Sequence, residues 1–117
     1  MMGNERAVAM YRFLVVHQGS QWFAQSVDFD LAAQGPTDDM AVASFVRVLR
    51  AHRRRAHELG QPAFSNLPEV PHRFVEAWDE IIKTTPARII RMEDGEMPPA
   101  YLAQALVRNE TDFNLEQ

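Results

Sequence analysis

The chain has 117 residues, 46% hydrophobic and 24% charged, with no cysteine and a formal net charge of -4. This length suits one core, the mix is too apolar for a disordered chain, and the lack of cysteine excludes disulfides, thiolate metal sites and cysteine nucleophiles. No apolar run approaches the roughly 20 residues needed to cross a bilayer, and no basic segment followed by an apolar signal core opens the chain, so a cytoplasmic protein with no membrane partner is expected.

Charge is unevenly divided. Residues 1 to 57 carry seven Arg against five acids, and residues 58 to 117 carry five bases against eleven acids. The acidic whole argues against general affinity for phosphate backbones.

The first six residues read as a frayed terminus. From Met10 to His17 the chain is aromatic and β-branched, which predicts a strand. Residues 18 to 21 supply a turn, and Trp22 to Val27 resume an extended pattern with Trp22, Ala24 and Ser26 on one face and Phe23, Gln25 and Val27 on the other. Leu31 to Gln34 is read as a third strand, closed by Gly35-Pro36, which cannot continue a ladder comfortably. Thr37 is a helix N-cap, with Asp38 and Asp39 complementing the positive end of the helix dipole. The spacing of Ala41, Phe45, Val48 or Leu49, His52, Ala56 and Leu59 predicts a helix with one apolar stripe, ended by Gly60.

Three prolines make residues 60 to 72 a loop. Phe74, Ala77, Trp78, Ile81 and Ile82 predict a second helix over 73 to 83, stopped by Pro86. Ala87 to Met92 is read as a short strand, residues 93 to 96 as a turn, and Pro98-Pro99 as the start of a final helix through Arg108, with nine loose residues after it. The expected fold class is therefore α+β. An antiparallel three-stranded sheet packs on a long helix (β-β-β-α) over residues 1 to 59, and a proline-rich loop with a mainly helical extension over 60 to 117 packs on the same core.

Two stretches carry a family resemblance: Trp22-Phe23-Ala24-Gln25, and the junction running from Ala33 through Gln34-Gly35-Pro36-Thr37 to Ala41. Over residues 10 to about 58 the chain resembles the HicB-like antitoxin domain, a partial ribonuclease H-like fold. There an aromatic-x-Ala hairpin leads into a third strand, and a Gln-Gly-Asp-Thr-x-x-Glu-Ala type of junction opens the helix. Pro36 stands where the family usually places Asp, and Met40 where it places Glu. Gly35 is expected to adopt a backbone conformation closed to other residues, and Thr37 to cap the helix. The resemblance implies a non-catalytic protein that sequesters a small toxin ribonuclease and self-associates as a dimer or higher homo-oligomer.

Arg47, Arg50, Arg53, Arg54 and Arg55 form the strongest charge feature and are the candidate partner-binding residues. The bland alternative is a solvated helix face whose bases complement the helix dipole. Asp28, Asp30, Asp38 and Asp39 are better explained as turn formers and first-turn helix acids than as metal-binding carboxylates. The four histidines lack the pairing of helical zinc motifs, and Ser20 and Ser26 near His17 lack a nucleophile elbow, so no enzyme, catalytic residue, metal or cofactor is expected. Tyr11, Phe13, Trp22 and Phe23 suggest either core packing or a base-stacking platform on an open sheet. DNA binding is not supported, because the candidate helices are about 15 residues apart, too far for a helix-turn-helix. The alternatives to an antitoxin are a solitary oligomeric assembly or regulatory module and, behind it, an RNA-binding module.

Overall fold

The computed structural model describes residues 9 to 95 and 97 to 107. The expected loose ends, Glu96 of the expected turn and Arg108 lie outside the described residues.

Alternating side chains build the first three strands: β1 (Ala9–Gln18), β2 (Gln21–Ser26) and β3 (Ala32–Gly35). β1 and β2 pair antiparallel from Phe13 opposite Ser26 to Gln18 opposite Gln21, and β2 pairs antiparallel with β3. Helix α1 (Asp38–Leu59) follows. Thr37 Oγ1 accepts from the Met40 N–H at 3.1 Å, which satisfies one of the unpaired donors of its first turn. Gly60 closes it in the left-handed region at φ 65°, its N–H donating to the last carbonyls. A loop then crosses to α2 (His72–Ile81), tied on the way by the Asp30 N–H donating to the Pro68 carbonyl at 3.0 Å.

The last two elements correct the expected fold class. β4 (Arg88–Asp94) and β5 (Met97–Val107) form a hairpin, and β5 inserts beside β1 in parallel, from Ala9 opposite Ala100 to Val16 opposite Val107. The sheet is therefore five-stranded and mixed, in the order β3-β2-β1-β5-β4, rather than three-stranded and antiparallel. Residues 97 to 107 are a strand and not the expected helix. The reason lies in burial: Ala100 and Leu102 face one core while Ala103, Ala105 and Val107 face the other, so both faces of β5 are apolar.

Two cores result, one on each face of the sheet. α1 covers Phe13, Val15, Ala24 and Leu102 with Phe45 and Leu49, the Phe13 and Phe45 rings stacking at 4.7 Å. α2 covers Leu14, Val16, Phe23 and Ala105 with Phe74, Ala77, Trp78 and Ile81, which recur at helical spacing. Burying each large side chain in these cores contributes about 1.5 to 3 kcal/mol against leaving it in water. α1 lies chiefly over β2 and β3, whereas α2 packs over β1 and its neighbour β5. No helix among the described residues is long and apolar enough to cross a membrane.

Candidate functional site

The five candidate arginines do not share one face. At about 100° per residue, Arg47, Arg50 and Arg54 fall on one outward arc of α1 while Arg55 stands on a flank. Those four are exposed. Arg53 follows Ala41, Phe45 and Leu49 at four-residue intervals and continues their inward stripe, with 7% of its surface exposed. Its guanidinium donates to the Pro98 carbonyl at 2.8 Å and lies 5.8 Å from the centre of the Tyr11 ring. Arg50 donates to the Glu93 carbonyl at 3.2 Å, and Arg47 to Ser44 Oγ at 3.2 Å. Arg50 and Arg53 thus tie the helix to the β4–β5 hairpin. The expected apolar stripe ended on Leu59, which is instead 50% exposed, and Arg53 takes the inward place.

Gly35 is essential to the strand-to-helix junction for a different reason from the one expected. It is absent from the left-handed region, which among the described residues holds Gly19, Gly60, Gly95 and Phe64. What Gly35 permits is close approach, since a Cβ there would sit 2.9 Å from the Ala41 nitrogen and 3.0 Å from the Met40 carbonyl carbon. α1 therefore begins directly against the end of β3.

At the other end of α1, Phe64 stacks on Phe29 at 4.0 Å and meets Tyr11 edge-on at 5.3 Å, with His52 6.0 Å away. This cluster holds Phe64 at φ 66°, an uncommon conformation for a residue with a side chain. Burial beneath it raises the Tyr11 phenol above its usual pKa of 10.0, an effect that nearby Arg53 opposes. A cleft of about 280 Å³ opens between α1 and the following loop, lined by His52, Arg55, Phe64 and Leu67 among others.

The remaining polar residues have local tasks. Asp28 binds the Arg12 side chain at 2.7 and 3.1 Å and accepts from its backbone N–H. Gln25 reaches Asp30 at 3.4 Å, and Asp38 accepts from the Asp39 N–H in the first turn of α1. Ser26 Oγ accepts from the Asp28 and Phe29 N–H groups, which makes it a turn residue. His17 stacks on Trp22, and His72 pairs with Glu76. Among the described residues no three or more His, Asp or Glu gather where they would hold a metal ion.

The aromatic side chains of the hairpin form no open platform: Phe13 and Phe23 are buried on opposite faces, and Tyr11 lies half-buried against Phe29 and Phe64. Phe29 and Phe64 carried no periodic signal, because both stand in connections. No protein-family model, curated protein or solved structure matches this chain.

Proposed function

We propose that this chain is a non-catalytic binding protein of the HicB-like antitoxin type, which occupies a small partner ribonuclease and covers its active site. The observation that carries the reading is the Gly35–Thr37 junction. The residues that bear the resemblance are the ones on which the close β3-to-α1 turn depends, through the missing Cβ at Gly35 and the hydroxyl cap at Thr37. A second feature supports it. α1 is anchored inward by Phe45, Leu49 and Arg53, which leaves Arg47, Arg50 and Arg54 as a basic outward arc on a rigid element.

Binding of this kind is stoichiometric. When the purified chain is titrated into a small basic ribonuclease encoded beside it, inhibition saturates at a fixed molar ratio, and reversing the charge of Arg47 and Arg54 weakens the complex if that arc meets an acidic surface. Native purification that recovers RNA and no protein partner would overturn the antitoxin reading in favour of an RNA-binding module.

A further inference from the structure

The apolar stripe of α1 outruns the sheet. Ala41, Phe45 and Leu49 are buried, whereas His52 and Ala56 are half-buried and Leu59 is 50% exposed. Residues spaced three and four apart share a helix face, so His52, Arg55, Ala56 and Leu59 stand together over the last two turns. That face forms one wall of the cleft of about 280 Å³, and the loop after α1 forms the other.

The loop wall is fixed in place. The Gln61 N–H donates to the Ala56 carbonyl at 2.9 Å, the Leu67 N–H to the Phe64 carbonyl at 3.2 Å, and the Asp30 N–H to the Pro68 carbonyl at 3.0 Å. Between these ties Phe64 keeps its left-handed backbone, its ring clamped on Phe29 and against Tyr11 while also lining the cleft. Such conformations persist where surrounding packing over-determines them, and they cluster at ligand clamps. A wall ordered before a ligand arrives costs little to order on binding.

The polar lining is of one kind. Arg55 supplies a guanidinium, His52 an imidazole, and Gln61 and Asn66 carboxamides, whereas no carboxylate among the described residues lines the cleft, in a chain with 16 acidic against 12 basic residues. Arg12 and Arg91 are committed to Asp28 and Glu93, but Arg55 engages no carboxylate among the described residues. A base near a helix C-terminus commonly serves to complement the dipole. Here the Ala56 and His57 carbonyls accept from the Gln61 and Gly60 N–H groups, and the guanidinium lines the cleft.

We infer that this cleft binds a small aromatic carboxylate, with its ring against Phe64, Leu67 and Leu59 and its carboxylate on Arg55. One guanidinium matches one planar carboxylate through paired hydrogen bonds. The apolar wall takes a flat body, and a volume just under the roughly 300 to 1,000 Å³ of drug-sized sites suits a single ring rather than a nucleotide. Such binding is independent of the antitoxin reading, since Arg55 stands apart from the outward arc of Arg47, Arg50 and Arg54.

Benzoate is the minimal probe, titrated into the isotope-labelled full chain and followed by its amide resonances. Those of residues 52 to 67 should shift and saturate with a dissociation constant on the order of 1 mM. Benzyl alcohol keeps the ring without the charge, and inorganic phosphate keeps a charge without the ring; each should bind at least about tenfold more weakly. Arg55→Gln sits at an exposed position, so it folds, and it should raise the benzoate constant about tenfold. Arg73→Gln on α2, also exposed and equal in its change of net charge, should leave that constant unchanged. Shifts that stay linear to about ten times the expected constant would overturn the inference. So would benzyl alcohol or phosphate binding as tightly as benzoate, saturating shifts confined to residues outside 52 to 67, or equal weakening by the two arginine variants.

Discussion

Replacing Gly35 by alanine isolates the closest backbone approach in the strand-to-helix junction. Gly35 is buried and pairs with Trp22 across β2 and β3. An alanine Cβ would meet the Ala41 nitrogen at 2.9 Å and the Met40 carbonyl carbon and Cβ at 3.0 Å. Two of these three atoms belong to the main chain of the first turn of α1, so no side-chain rotation relieves the contact and the helix end must move away from the sheet. Overpacking of this kind costs roughly 1 to 3 kcal/mol. Against it, alanine restricts the unfolded chain and returns about 0.4 to 1 kcal/mol, because Gly35 has an ordinary backbone conformation. The net expectation is a loss of about 1 to 2 kcal/mol, or a fall in Tm of roughly 4 to 10 °C for a domain of this size.

Urea denaturation followed by circular dichroism measures this directly, with a lower midpoint and an unchanged slope expected. Gly60→Ala is the control of opposite mechanism. Nothing lies within 4 Å of its Cβ, so its cost comes from φ 65° alone. A Gly35→Ala chain as stable as the parent, or more stable, would refute the close-approach argument, since only the entropic gain would then remain.

Arg53→Ala should lower stability by about 2 kcal/mol, because it removes a buried hydrogen bond to the Pro98 carbonyl together with packing on Tyr11, whereas exposed Arg55→Ala should change it by no more than about 0.5 kcal/mol. Thermal melts of the two variants check the contrast. Tyr11 holds its proton more tightly in the folded state than in the unfolded one, so its contribution is fully present below pH 10.0 and is lost as pH rises through its higher folded pKa. Alkaline melts should therefore show stability falling above that pH, and Tyr11→Phe should remove that part of the slope.

Where one face was buried, the residues announced the elements. Phe45 and Leu49 on α1, and Phe74, Ala77, Trp78 and Ile81 on α2, repeat at helical spacing because each helix rests on a single sheet face. Thr37 and Gly60 mark the ends of α1 by chemistry that depends only on nearby backbone. Arg53 stands in a basic run whose residue type suggests a solvated face, yet it continues the four-residue series from Ala41 and is buried. The two carbonyls that receive Arg50 and Arg53 belong to Glu93 and Pro98, over 40 residues further along the chain. No local pattern reports such a partner.

β5 was hidden for a deeper physical reason. Its sequence from Ala100 to Val107 is alanine-rich and apolar on both sides, and alanine favours helices wherever tertiary packing does not intervene. Here packing intervenes from both sides. The strand stands between β1 and β4, with one helix layer over each face, so the alternation that marks a half-exposed strand is erased. Pro98 and Pro99, which suggested a helix start, lie at the N-terminal end of β5, before its pairing with β1 begins at Ala100, so the missing N–H groups do not interrupt that ladder. The small side chains at 100, 103 and 105 let the sheet accept close layers on both sides, and the same centrality leaves β4 as the outer edge. The feature that concealed β5 in the sequence is thus its central place in the sheet.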